Sequence, residues 1–343
     1  HFVLADHYLR RNPHIAPPNP RNDIALNIET QVYPISRVLS HWSGYRYTEI
    51  GQPHRFSSAC STEVYRDELF GPAFDGNTFT SEPVYNLIHR RTLEPKGVTF
   101  TSHRAPDEQQ REFLGSTDSW FRPTSLRTGP DGALWVADMY RLVIEHPEWI
   151  DDEREKELFL RAGHDKGRIY RVYPRGKSPR PIPRLHRLDT SGLVAALDCP
   201  NGWQRDTVQR LLIHRSDLSA IKPLTNLVAG HPRAVTRLHA LCTLDGLDAL
   251  TAEVLARAMT DVHPAVRRHA VRLTEKSINE SSLLQDKLLR LLSDNDELIR
   301  LQLAYTLGEW NSPRAGEALG RLAQSPAHDP YLLAAIISST NET

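Results

Sequence analysis

The chain has 343 residues, 39% hydrophobic and 24% charged, with a mean hydropathy of −0.47. That make-up belongs to folded globular proteins, not to disordered or membrane-embedded ones, and the length points to two domains. Lys plus Arg and Asp plus Glu each number 42, so the zero net charge gives no general attraction to nucleic acid.

In chain order, His1 to Pro34 is polar and rich in Pro and Asn and reads as a long surface connection. Ile35 to Tyr47 and Phe56 to Tyr65 are strand-like, the latter built of small and β-branched residues suited to close packing. Phe74 to Glu82 follows, then the β-rich Asn86-Leu87-Ile88-His89-Arg90. Ala105 to Ser119 is charged and partly helical. The densest stretch is Phe121 to His146: an extended Thr124–Arg127, turn chemistry at Gly129-Pro130-Asp131-Gly132, and a strand over Ala133–Ala137. Asp138, Tyr140, Arg141, Glu145 and His146 then arrive together where the strand ends.

Phe74–Glu82 matches Pro130–Asp138 position for position, an offset of about 56 residues, and Gly167–Val172 answers Asn86–Arg90. An insertion from Glu145 to Asp165 explains the longer spacing. Repeats of several short strands at this period are the signature of β-propeller blades, and two to three of them cannot close a ring. Residues 1–173 are therefore expected to be propeller blades, open and partial.

Pro174 to Arg187 holds four prolines and six basic residues and reads as a semi-rigid linker, 174–187, with few contacts crossing it. From Thr190 the period turns helical, with Trp203, Val208, Leu211 and Leu212 on one face. His231-Pro232-Arg233-Ala234-Val235, His263-Pro264-Ala265-Val266-Arg267 and Asp296-Glu297-Leu298-Ile299-Arg300 recur at about 32–33 residues, which is HEAT-like. Residues 188–343 are expected to form an α-solenoid of about four helix pairs that folds alone. Arg267, Arg268 and Arg300 read as a solvated face or a repeat ladder, with a concave peptide-binding surface as the alternative.

Cys60, Cys199 and Cys242 lie far apart and form neither Cys-x-x-Cys nor the Cys-x-x-Cys-His of haem attachment. The sequence starts at His1, with neither a signal peptide nor 18 consecutive apolar residues, and reads as part of a larger protein. Asp138, Glu145 and His146 are the candidate catalytic residues, because carboxylate and imidazole together can shuttle a proton. Arg122, Arg141 and Tyr140 are the candidate cofactor-binding residues, with guanidinium groups able to hold an anion. The other reading of this cluster is a buried ion-pair set that locks the insertion in place. Asp75 and Asp131 are expected turn formers. His103, His146 and His164 lack metal-ligand spacing, and no Gly-rich phosphate loop or nucleophile elbow occurs.

Glu82-Pro83, Asn86-Leu87, Ser116-Thr117-Asp118-x-Trp120-Phe121-Arg122-Pro123, Gly129–Leu134, Asp138-Met139-Tyr140-Arg141, Glu145-His146-Pro147 and Gly167–Arg171 together resemble the putative membrane-bound dehydrogenase family of planctomycetes and relatives. The resemblance implies a β-plus-α multidomain chain. Its partial, six-bladed-type propeller, similar to soluble quinoprotein sugar dehydrogenases, precedes a HEAT-like α-solenoid. It implies an exported or periplasmic setting and a dehydrogenase-like, electron-transfer role, oxidising a sugar or alcohol. Pyrroloquinoline quinone and c-type haem would belong to the full-length protein, none to this chain. Partners would be the remaining blades and a cytochrome domain, with a protein partner on the HEAT surface. The alternative is a non-catalytic scaffold gripping protein or polysaccharide.

Overall fold

The computed structural model describes residues 8–9, 11–19, 30–36, 52–144, 148, 150, 152–156, 159–324 and 329–340. A short ribbon pairs β1 (Gln31–Val32) with β2 (His54–Arg55). Next comes an antiparallel meander of β3 (Cys60–Val64), β4 (Thr78–Glu82), β5 (Leu87–Lys96) and β6 (Thr99–Arg104); β7 (Leu114–Gly115) pairs with the start of β5. A second meander joins β8 (Pro123–Thr128), β9 (Leu134–Asp138) and β10 (Arg168–Val172). Tyr65, Phe79, Ile88, Phe121, Leu126, Leu134 and Val136 make one apolar core shared by both.

The internal repeat is real at the level of register. Val64 pairs with Thr78 and Thr128 with Leu134 at one end of the middle strands, and Glu82 pairs with Leu87 and Asp138 with Arg168 at the other. β3 and β8 lie side by side, with Leu126 N donating to Ser61 Oγ and Thr128 N to Glu63 Oε1, each at 2.8 Å. The β8–β9 turn closes through Gly129 N to Ala133 O at 2.8 Å. Gly132 sits there at φ +89°, and a Cβ would come within 2.7 Å of Asp67 Oδ1, so geometry and space both call for glycine.

Ten α-helices follow among the described residues, as five successive pairs instead of the four expected. They are α1 (Thr190–Ala196), α2 (Gly202–Arg215), α3 (Ile221–Gly230), α4 (Ala234–Gly246), α5 (Ala252–Ala258), α6 (Pro264–Leu273), α7 (Ser282–Arg290), α8 (Glu297–Leu307), α9 (Pro313–Ala323) and α10 (Pro330–Ser339). Side-chain caps from Asn201, Thr251, Ser281, Asp296 and Asp329 satisfy first-turn amides. Even-numbered helices stack as one layer, and their buried faces give a continuous core, as repeats that cannot bury themselves alone require.

An arginine ladder runs through that layer. Arg237 grips Asp261 with two bonds of 2.6 Å, and Arg267 grips Asp294 with two of 2.9 Å. Arg205, Arg237, Arg267 and Arg300 each also donate to a carbonyl six residues back. The ladder aligns Arg237 with Arg267, so buried Thr236, and not Val235, is the counterpart of Val266. Of the expected readings for Arg267, the structure gives the ladder.

The expectation of few contacts across residues 174–187 is not met. Asn201 Nδ2 donates to Asp67 Oδ2 at 2.7 Å and to Gly129 O at 2.8 Å, Gln204 Nε2 to Pro130 O at 2.6 Å, and Gly202 N to Arg66 O at 2.8 Å. Arg180 pairs with Asp67, and Lys177 Nζ reaches Leu69 O at 3.1 Å. At the far end Tyr8, in the supposed surface connection, is buried in the helical core and meets Tyr305 hydroxyl to hydroxyl at 2.9 Å. Arg11 donates to Tyr305 O and Ser339 Oγ, each at 2.9 Å. Val98, at the β5–β6 tip, enters the same core. Sheets and solenoid are thus sewn together at both ends.

Candidate functional site

Asp138 ends β9 directly opposite Pro123 at the start of β8, so an amide from each side points at its carboxylate. Asp138 Oδ1 accepts from Arg122 N and from Tyr140 N, both at 2.8 Å. Asp138 Oδ2 is buried and has no hydrogen-bond partner among the described residues. Asp138 is one of the residues bordering an open depression of about 640 Å³, with Thr124, Ala137, Met139, Arg168 and Ile169.

Arg122 faces the same end, as the strand order demands, but its guanidinium does not pair with the Asp138 carboxylate. Nε donates to Arg141 O at 2.9 Å, Nη1 to Pro83 O at 2.9 Å and Val84 O at 3.1 Å, and Nη2 to Leu142 O at 3.0 Å. One buried side chain thereby joins both meanders to the stretch that leads into the insertion. Burial pushes its pKa down to about 10, against the pull of Asp138 and Asp118. Arg141 Nη1 donates to Arg161 O at 3.0 Å. Tyr140, at φ +50°, lays its ring under the Arg168 guanidinium at 3.5 Å. Glu145 and His146 lie outside the described residues. The structure therefore brings together Arg122, Asp138, Tyr140 and the backbone of Arg141.

Asp131 does more than form a turn. Its buried carboxylate accepts from Ala133 N at 3.2 Å, Trp135 Nε1 at 2.9 Å and Arg171 Nη1 at 3.0 Å. Its repeat partner Asp75 is exposed.

Sequence reasoning missed one ionisable cluster. His89 Nδ1 stands 2.7 Å from Glu112 Oε2, and Arg104 Nη2 donates to Glu112 Oε1 at 3.0 Å; all three side chains are buried. Arg104 Nη1 and Glu112 Oε1 also hold the β1 segment through Gln31 O and Tyr33 N. Burial lowers the His89 pKa. The signal was faint: His89 directly follows the apolar Leu87-Ile88 of β5, whereas Arg104 ends the polar β6. Beside them burial lifts Glu108 to about 7 although Arg90 Nε is only 3.2 Å away.

A family model described as a domain of unknown function, DUF7133, matches residues 1–176, just over half of the chain. The chain belongs to the DUF7133 family. The match takes in both meanders and the Arg122–Asp138 site. A second model, of HEAT repeats, matches residues 251–339, from α5 to α10. No curated protein matches the chain. Among the described residues no helix is long and apolar enough to cross a membrane.

Proposed function

We propose that this DUF7133 chain is a binding scaffold: its meanders are two blades of a partial β-propeller, fixed to a HEAT solenoid that takes a protein partner. The fate of Arg122 carries this reading. Four of its five N–H donors are spent on main-chain carbonyls. A side chain so held fastens backbone to backbone and has little left for a substrate. Arg237 and Arg267 are likewise spent inside the solenoid. Outward lies the loop edge of α3–α6, where Val262 (89% exposed) borders a depression of about 520 Å³ with His231, Pro232, Arg257 and Asp261, and Val235 (42% exposed) follows three residues after Pro232. Apolar groups rimmed by charge are the composition of a protein contact surface. Photo-crosslinking from position 262 of the intact protein in cells should give one defined protein adduct that Val235→Asp removes. No adduct, or adducts indifferent to that change, would sink the solenoid surface.

A second reading, a dehydrogenase-like electron-transfer role within a longer exported protein, is favoured by the free Asp138 Oδ2. A carboxylate bordering an open depression can accept a proton from a ligand hydroxyl. Arg122 does not fit a quinone cofactor, because gripping it would release the carbonyls it holds, and Cys60, Cys199 and Cys242 lack haem-attachment spacing. Absorbance of cofactor extracted from the full-length protein, with turnover of Asp138→Asn set against its melting temperature, decides between the readings. Turnover abolished at unchanged stability would favour the enzyme.

A further inference from the structure

We propose that the free edge of β10 is a strand-acceptor site for an extended peptide segment of a partner protein. This deepens the scaffold reading by naming a contact on the sheet, separate from the solenoid surface. The first meander shows what the second lacks. β5 and β10 occupy equivalent places, since Glu82 pairs with Leu87 where Asp138 pairs with Arg168. In β5 the first two residues, Leu87 and Ile88, pair with Gly115 and Leu114 of β7, and Ser116 N donates to Asn86 O at 2.9 Å. Leu87 and Ile88 are fully covered. Their counterparts Arg168 and Ile169 pair with β9 but have no strand on their outer side among the described residues, and Ile169 is 69% exposed. The chain beyond Val172 does not supply one, because it runs instead to Leu69 and Asp131 through Lys177 and Arg180.

Unpaired edges are normally guarded by charges that stand over them. Here the two cations of β10 are otherwise engaged: Arg168 lies over the Tyr140 ring at 3.5 Å, and Arg171 bonds Asp131. One strand in from the edge, opposite Arg168, Asp138 Oδ2 is buried with no partner among the described residues, whereas the equivalent Glu82 has both oxygens filled. The occupant that completes this site has the chemistry β7 brings to β5 as Leu114-Gly115-Ser116. An apolar side chain covers Ile169, a small residue lets the backbones approach, and a hydroxyl or amide donor reaches Asp138. Main-chain pairing would supply the affinity and these contacts the selectivity.

The test adds a synthetic peptide of residues 112–118, Glu-Phe-Leu-Gly-Ser-Thr-Asp, to the intact chain and follows hydrogen exchange at Arg168–Val172. Saturating peptide should slow these amides by about tenfold or more. Ile169→Lys should abolish that protection at an unchanged melting temperature, because the residue is exposed in the free chain. Asp138→Asn should weaken the peptide by about fivefold, through the lost carboxylate acceptor. Exchange that ignores the peptide overturns the proposal. So does protection without peptide that fades on dilution, which assigns the edge to a second copy of the chain, or that persists on dilution, which assigns it to the chain's own segments. Peptide protection in a protein whose position 262 captures nothing leaves this inference standing and removes only the solenoid surface.

Discussion

At the end of β4, Glu82 fills both carboxylate oxygens with the amides of Ser57, Ser58 and Val84, whereas at the end of β9, Asp138 fills one with the amides of Arg122 and Tyr140. Both carboxylates do the same local work, tying the end of a middle strand to the start of the strand before it and to the turn after it. The longer side chain has amides for all its acceptors; the shorter one leaves an oxygen over. Covering strands follow the same division. β5 has β6 and β7 along it, and β10 has neither. The lesson is that a repeat fixes the structural share of a residue's role, and the departure between copies is where another role can sit.

The largest test of this comparison is Arg122, which has no counterpart in the first meander, where Ser58 stands. Arg122→Ala would take the side-chain donor from four carbonyls, one buried and three part-buried, and cut one tie between the meanders. The expected loss is about 4 kcal/mol in urea unfolding of the intact chain. A loss within error of zero would mean the meanders hold together without it, through their shared apolar core and the β3–β8 hydrogen bonds.

Next in size is a pH effect confined to the first meander. Glu108 has its pKa raised to about 7 by burial, with Arg90 pulling down and Asp107 and Glu112 pushing up. A carboxyl raised in the fold contributes stability that is full below its unfolded pKa and lost as pH rises through the folded one. Stability should therefore fall between about pH 4.5 and 7 by an amount on the order of 3 kcal/mol, and Glu108→Gln should flatten that fall. An unchanged pH slope in the variant would place the effect elsewhere.

Much of this was legible in the sequence, for identifiable reasons. The Asp-Gly turns and the match of Phe74–Glu82 to Pro130–Asp138 gave the repeat in its true register, because turn chemistry and strand alternation are local. The helical period and the recurring arginines gave the solenoid, although one copy was misaligned because Pro232 precedes α4 where Pro264 begins α6. Arg122 stood among the candidate residues, yet its partners were not foreseen. Pro83 and Val84 are distant in sequence, and carbonyls leave no mark in a residue pattern. For the same reason Tyr8 and Arg11 read as surface chain: a short polar segment docked on α8 and α10 carries no periodicity of its own. The His89–Glu112–Arg104 cluster needs β5, β6 and the segment before β7 to be folded before its members meet.

Glu82→Gln should cost about 2 kcal/mol, since the new amide group turns a donor toward backbone donors that now have acceptors. The measurement is chemical denaturation at pH 7, compared with the same exchange at the second site. A cost below that of Asp138→Asn would reverse the comparison between the meanders.

Asp138→Asn is the smallest and most informative change. The carbonyl oxygen of asparagine can keep both amides of Arg122 and Tyr140, and its NH₂ replaces the oxygen that has no partner. Structure alone then predicts a stability change under about 1 kcal/mol. The two sites thus separate a carboxylate whose charge and both oxygens are consumed by the fold from one whose second oxygen is not. If Asp138→Asn is as damaging as Glu82→Gln, that oxygen takes a donor in solution and the residue is wholly structural. If it is silent in unfolding yet weakens peptide binding at β10, the free oxygen belongs to the edge. If it is silent in both, the oxygen left over in the second meander has no role in stability or in strand capture.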